Sequence, residues 1–235
     1  MSAIHADDLV QSSAYAFLKE AIISLRFRPG QRLRSAEIAD LVKASRTPVR
    51  EALSRLEQEG LVRRDDGWGY VVSEVSIRGV LELWSVRESL EVQAAGEALQ
   101  KMRPGDLEEL ASLNARAEVL YEERRFIEFL DQNRSFHIAM ARMSDNRLLQ
   151  QMLGMIHDRV RMVGNLIVRL HEPRAQELLV ENRKIMAAIR TGDPHLVVQA
   201  IRAHLQRGRD HVSRLLSAGD LHAMPARHAG VDSRS

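Results

Sequence analysis

The stretch Ser45-Arg46-Thr47-Pro48-Val49-Arg50-Glu51-Ala52-Leu53-Ser54-Arg55-Leu56-Glu57-Gln58-Glu59-Gly60 constrains this chain more than any other. Val49, Ala52, Leu53 and Leu56 recur at i, i+3, i+4 and i+7, the apolar stripe of a helix docking on a small core. Arg46, Thr47 and Arg50 fall on the opposite face within one turn of each other, at the N-terminal end. Ser45 is placed to cap the helix, and Pro48 is tolerated because the first turn has no intrahelical donors to lose. A short apolar back with an Arg/Thr tip suits a DNA major groove: Arg binds the O6/N7 edge of guanine, Thr reaches bases or phosphates, and a helix N-terminus favours phosphate. A solvated charged face on an ordinary helix reads the same in isolation, so the flanks decide.

Before the stretch, Leu9, Tyr15, Leu18, Ile22 and Leu25 mark one side of a helix over 8–25, ended by Pro29-Gly30. Ser35 is placed to cap a short helix to Lys43 with Ile38, Ala39 and Leu41 inward, and a two-residue link joins it to the opening stretch as a helix-turn-helix. Gly60 closes the second helix. Leu61–Arg64 and Tyr70–Ser73 then read as strands joined by Asp65-Asp66-Gly67-Trp68-Gly69, a hairpin. The pattern is a winged helix-turn-helix over 1–75. Within it, Arg26, Arg28, Arg32, Arg34, Lys43, Arg46 and Arg50 face only Glu37 and Asp40 between positions 26 and 50, a local positive patch in a chain of net charge +2. Such a patch is the footprint of phosphate binding.

From Ser76 onward the sequence turns to long helical periods, predicting helices over 76–101, 105–124, 126–143, 146–170, 173–191 and 193–218, an antiparallel six-helix bundle. The whole is mainly α, and an apolar content of 45% with 4% aromatic suits Leu/Ala/Val-rich helices. The Gly, Pro, His, Arg and Ser of 219–235 predict a disordered tail. With no cysteine there is no disulfide, thiolate or Cys-ligated zinc. No signal peptide and no membrane-length apolar run are evident, so a cytoplasmic protein with no membrane partner is expected.

Polar residues interrupt five of the bundle's apolar stripes: Arg87 and Glu91 in 76–101, Asn133 and His137 in 126–143, Arg159 in 146–170, Asn182 in 173–191, His204 and His211 in 193–218. The stripe of 146–170 is taken as Leu148, Met152, Met155, Val163, Leu166 and Leu170. One such residue is usually a satisfied core polar group. Burying the whole set costs several kcal/mol unless its members pair with each other or with a ligand. The economical reading is a solvated cavity, and with Arg87 and Arg159 in it the natural occupant is a small carboxylate.

At this point the residues resemble a known family. Ser45-Arg46-Thr47-Pro48-Val49-Arg50-Glu51-Ala52-Leu53, with Leu56-Glu57 and Glu59-Gly60-Leu61-Val62, resembles the signature of GntR-family bacterial transcription regulators. The C-terminal part resembles the FCD effector domain of the FadR subfamily, and six helices its VanR-type branch. The resemblance implies a homodimer on a palindromic DNA operator, most simply a repressor, with a small organic acid effector in the bundle. It implies base and phosphate contacts from Arg46, Thr47 and Arg50, with Ser45 and the hairpin tip at Gly67 touching backbone or minor groove; Arg34 of the basic patch is read as a further phosphate contact. Asp65 and Asp66 depart from the basic wing of many members. Many FCD domains hold a divalent metal through an Asp, a His four residues later and two further His. Here His137 and His204 match two positions, while Asn133 and Asn182 stand at the other two. Asn is a weak neutral ligand, so zinc would bind poorly, or sit displaced toward His211, or the effector would bond these side chains directly. Two rival readings are a metal-assisted enzyme using the same cavity, which lacks a nucleophile–base motif, and a DNA-binding protein whose bundle only dimerises.

Overall fold

In the computed structural model, residues 6–65, 67, 69–168 and 173–218 are described. The winged helix-turn-helix, called the reading head for the DNA-reading tip its sequence predicts, comprises α1 (Ala6–Ile23), β1 (Arg32–Leu33), α2 (Ser35–Val42), α3 (Arg46–Gln58), β2 (Val62–Asp65) and β3 (Gly69–Val72). Val49, Ala52, Leu53 and Leu56 of α3 are buried against Leu18 and Ile22 of α1, Leu33, and Leu61 and Val72 of the hairpin. This is the docking that the i, i+3, i+4, i+7 spacing dictates.

Three local readings are corrected. The α3 N-cap Ser45 makes no side-chain cap hydrogen bond, and Ser35 is the first residue of α2, whose N-cap is Arg34. Leu41 is exposed, while Val42 is partly buried against the core. The hairpin gains a third strand: β1 pairs antiparallel with β3, giving the order β1-β3-β2. Two residues carry too short a pattern to be seen in sequence.

The bundle comprises α4 (Ile77–Lys101), α5 (Asp106–Glu122), α6 (Phe126–Met143), α7 (Arg147–Val168), α8 (Pro173–Thr191) and α9 (Pro194–Ser217), so among the described residues it has the six expected helices. Ser76 caps α4 by accepting from Gly79 N–H, and Asp193 caps α9 by accepting from His195 N–H with Pro194 behind it. Phe136, Met140, Ile185, Ile189, Ile201 and Leu205 fill the core between α6, α8 and α9. The expected tail over 219–235 lies outside the described residues.

The phase of α7 differs from the sequence reading. Leu149 and Leu153 are buried, whereas Leu148, Met152 and Met155 are 66%, 38% and 44% exposed. The reason is that α7 serves two cores. Val163 packs with Val80, Trp84 and Val212 of the bundle, while Met162 and Leu166 belong to the core of the reading head. Asn165 adds a hydrogen bond from Nδ2 to the carbonyl of Ile23 at 2.8 Å. A helix apolar on several sides has no single stripe to phase it. In α4, likewise, Ile77 and Leu81 are exposed and Val80, Leu83 and Trp84 are buried.

Candidate functional site

The candidate nucleic-acid face is built by α3 and its neighbours. Arg34, Ser45, Arg46, Thr47, Arg50 and Gly67 are all exposed. Arg34 bridges to Glu37 at 3.3 Å, while among the described residues Arg46 and Arg50 have no ion pair, leaving two guanidinium forks at the N-terminal turns of α3. Gly67 takes φ +85° at the hairpin tip. Asp65 is half-buried and paired with Arg32 at 3.2 Å, so one acidic residue of the wing is already compensated by the neighbouring strand. Asp66 lies outside the described residues. Basic Arg63 and Arg64 of β2 are exposed.

The second site is a cavity of about 90 Å³ within the bundle. Of the residues expected there, Arg87, Asn133, His204 and His211 line it. Glu91, His137 and Asn182 lie buried in the network behind the wall. Arg159 does not belong to the cluster: it sits at the junction with the reading head, its guanidinium 3.4 Å from where a side chain on Gly60 would begin. Gly60 has φ +74°, so neither a side chain's bulk nor its backbone preference suits that position. The shifted phase of α7 explains the exchange, because it turns His157 inward instead. Sequence reasoning also missed Trp84, Arg134, Arg161 and Arg174, which line the cavity too. Arg134 and Arg161 gave no periodic signal, being only partly buried.

The network is closed by short contacts. Arg87 Nε donates to Glu91 Oε1 at 2.6 Å, Glu91 Oε2 meets His137 Nδ1 at 2.5 Å, and Glu91 Oε1 lies 3.5 Å from His157 Nε2. The His137 ring stacks on His204 at 5.0 Å and lies 5.7 Å from His157. Arg174 grips Glu181 with both terminal nitrogens at 2.9 and 3.0 Å, and Glu181 Oε2 meets His204 Nδ1 at 2.8 Å. Burial alone would raise the Glu91 carboxyl, but Arg87 and His137 overcome it and hold it well below the usual range. Burial likewise opposes ionisation of Glu181, yet His204 and Arg174 bring it down to about 2. Burial pushes His157 well below its ordinary value and His204 down to about 4, with Glu91 and Glu181 only partly opposing.

These residues do not fit a zinc ion. Asn182 Nδ2 donates to Asn133 Oδ1 at 2.8 Å, so the two side chains at the implied ligand positions bind each other. Among the described residues no group of three or more His, Asp or Glu side chains is arranged to hold a metal. Zinc needs such a convergent set.

A polar chain leads from the cavity to the reading head. Arg134 Nη2, on the wall, donates to Asp158 Oδ1 at 2.7 Å, and Asp158 Oδ2 bridges to Lys19 Nζ at 2.5 Å. Lys19 binds Glu59 Oε2 at 3.0 Å, at the C-terminal end of α3, and Tyr15 donates to Glu59 Oε1 at 2.7 Å. Arg161, also on the wall, joins Asp131 of α6 to Glu20 of α1.

Comparison with known proteins identifies both parts of the chain. Residues 10–72 match the bacterial regulatory proteins of the gntR family and residues 82–207 match the FCD domain. The chain is 27% identical over 209 residues to the uncharacterized HTH-type transcriptional regulator YdhC of Bacillus subtilis, covering 87% of this chain and 92% of that one. It is 29% identical over 226 residues to an HTH-type regulator in an unstable DNA locus of Streptomyces ambofaciens, covering 91% and 92%. The fold matches the solved structure of Escherichia coli McbR/YncC with a TM-score of 0.77 at 23% identity, over 91% and 99% of the two chains. No described helix is long and apolar enough to cross a membrane. With a winged helix-turn-helix at its N-terminal end and a polar cavity in its helical bundle, the chain belongs to the GntR family of bacterial transcription regulators, as a DNA-binding regulator with an FCD effector domain and not an enzyme.

Proposed function

We propose that the protein is a cytoplasmic repressor that binds a palindromic operator as a homodimer and is released by a small carboxylate held directly in the bundle cavity. Arg46, Thr47 and Arg50 read bases, while Arg34, Ser45 and the wing at Gly67 hold the backbone. The exposed apolar ridge of Leu148, Met152 and Met155 on α7 supports pairing of two copies.

The observation that carries the reading is the shared helix α7. His157 and Arg161 face the cavity, Asp158 binds Lys19, and Met162 and Leu166 pack in the head. An anion drawn to Arg134 or Arg161 competes with Asp158 and Asp131 for the same guanidinium groups. That weakens the links holding α1 and the end of α3, and so resets the spacing of the two heads. Operator binding followed by fluorescence anisotropy, with sites selected from random DNA and carboxylates added, tests this. Release by a carboxylate in metal-free buffer supports direct binding. Release that requires stoichiometric zinc would reinstate the metal-mediated alternative, and a protein that binds no carboxylate would leave the bundle a dimerisation unit.

A further inference from the structure

The cavity wall has an asymmetry that narrows its occupant. Arg87, Arg134, Arg161 and Arg174 all line it, and among the described residues no Asp or Glu does. Each arginine is nonetheless matched from outside the wall: by Glu91, Asp158, Asp131 and Glu181 respectively. The surface an occupant meets therefore offers donors, while the charge beneath is already balanced. An occupant bearing several negative charges would bring repulsion and desolvation cost with no surplus cation to offset them. The remaining wall is apolar, from Leu130, Val160, Leu178, Leu205 and Val212.

Among the described residues two N–H donors on the wall are left without a hydrogen bond: Arg134 Nε, whose guanidinium is already held at Nη2 by Asp158, and the indole of Trp84. Trp84 is 5% exposed and lines the cavity, yet its indole Nε1–H makes no hydrogen bond. An indole N–H only donates, and buried indoles usually find an acceptor. Opposite it stands Gly208 of α9. A methyl there would lie 3.3 Å from Trp84 Nε1 and 3.7 Å from Arg174 Nη2. Gly208 has ordinary helical backbone, where alanine would be favoured by about 1 kcal/mol. Its lack of a side chain keeps the approach to Trp84 Nε1 and Arg174 Nη2 open. Gly164 of α7 does the same on the apolar side, where a methyl would meet Leu130 Cδ1 at 3.4 Å.

We infer that the effector is a compact organic monocarboxylate with an apolar body, its acceptor oxygen taken by Trp84 Nε1 beside Gly208 and its body lying along Leu130 and Gly164. This rests on the carboxylate-effector reading above and narrows it. At about 90 Å³ the cavity is smaller than an engineered cavity of about 150 Å³ that accommodates benzene, which limits the body to a short branched chain.

The test uses full-length dimer with Trp68→Phe, so that Trp84 is the sole indole, and the probes benzoate, 3-methylbutanoate, 3-methylbutanamide, malonate and citrate. 3-Methylbutanoate should raise the melting temperature and change Trp84 emission, and the bulkier benzoate, the amide and the polyanions should not. Gly208→Ala, a helix-favouring change, should keep the melting temperature of the free protein and lose the response. Trp84→Phe, read by melting temperature, should bind about tenfold more weakly. Malonate, citrate or benzoate binding in preference to 3-methylbutanoate would overturn the inference while leaving a carboxylate effector in place. Equal responses from Gly208→Ala and the parent, or from amide and acid, would also overturn it. No response to any carboxylate would overturn the broader reading with it.

Discussion

Replacing Lys19 by methionine isolates the polar link between the bundle and the reading head. Lys19 Nζ touches Asp158 at 2.5 Å, Tyr15 at 2.8 Å and Glu59 at 3.0 Å, and its side chain is 22% exposed. Burial would lower its pKa, but Asp158, Tyr15 and Glu59 outweigh that and hold it raised. Methionine keeps most of the stem and removes the charge. Neither carboxylate is then orphaned, because Asp158 keeps Arg134 at 2.7 Å and Glu59 keeps Tyr15 at 2.7 Å. The cost therefore falls short of the roughly 3–5 kcal/mol of a stranded buried charge and exceeds the roughly 0–1 kcal/mol of a surface pair. About 2 kcal/mol is expected, a fall of about 4–8 °C in melting temperature for a chain of this size. Amide hydrogen exchange locates the loss: exchange should quicken in α1 and α3 while α9 stays protected. A melting temperature within about 1 °C of wild type, or quickened exchange spread evenly over the bundle, would refute the link.

Arg46→Ala should abolish discrimination between the operator and random DNA, whereas Arg34→Ala should weaken both and reduce the salt dependence of binding, as measured by anisotropy between low and moderate salt. Met152→Glu should convert dimer to monomer by light scattering while leaving the far-ultraviolet circular dichroism unchanged, since Met152 is on the surface. Stability should fall with acid from about pH 6.5 toward the His204 value of about 4. The unfolded chain takes up this proton and the folded one refuses it, at a cost on the order of 3 kcal/mol across the window. His157, held low by burial, adds in the same direction, so His204→Gln should flatten only part of the slope in urea titrations.

Much of this was legible before any coordinates, and the failures share one cause. The reading head followed from four apolar positions on α3 because a helix with one core to meet has one stripe. Arg87, Glu91, Asn133, His137, Asn182, His204 and His211 were legible because each breaks an apolar run, and all seven are buried. Arg159 was misplaced, and His157 missed, because α7 packs against two bodies and its exposed Leu148, Met152 and Met155 imitate a core face. Arg134, Arg161 and Arg174 were invisible since an arginine beside polar neighbours reads as surface. For Arg134 and Arg161 the roles come from partners 24 and 141 residues away in sequence, which periodicity does not register.

Sharing α7 between two cores has a consequence for how such chains diversify. A head cut away after residue 75 would leave Met162 and Leu166 uncovered on the bundle, and would expose in itself the pocket they fill and the Ile23 carbonyl that Asn165 binds. Swapping heads between relatives thus requires carrying that turn of α7 with them. DNA preference and effector preference are physically spliced at residues 158–166, and a hybrid joined only at the linker inherits a mismatched seam.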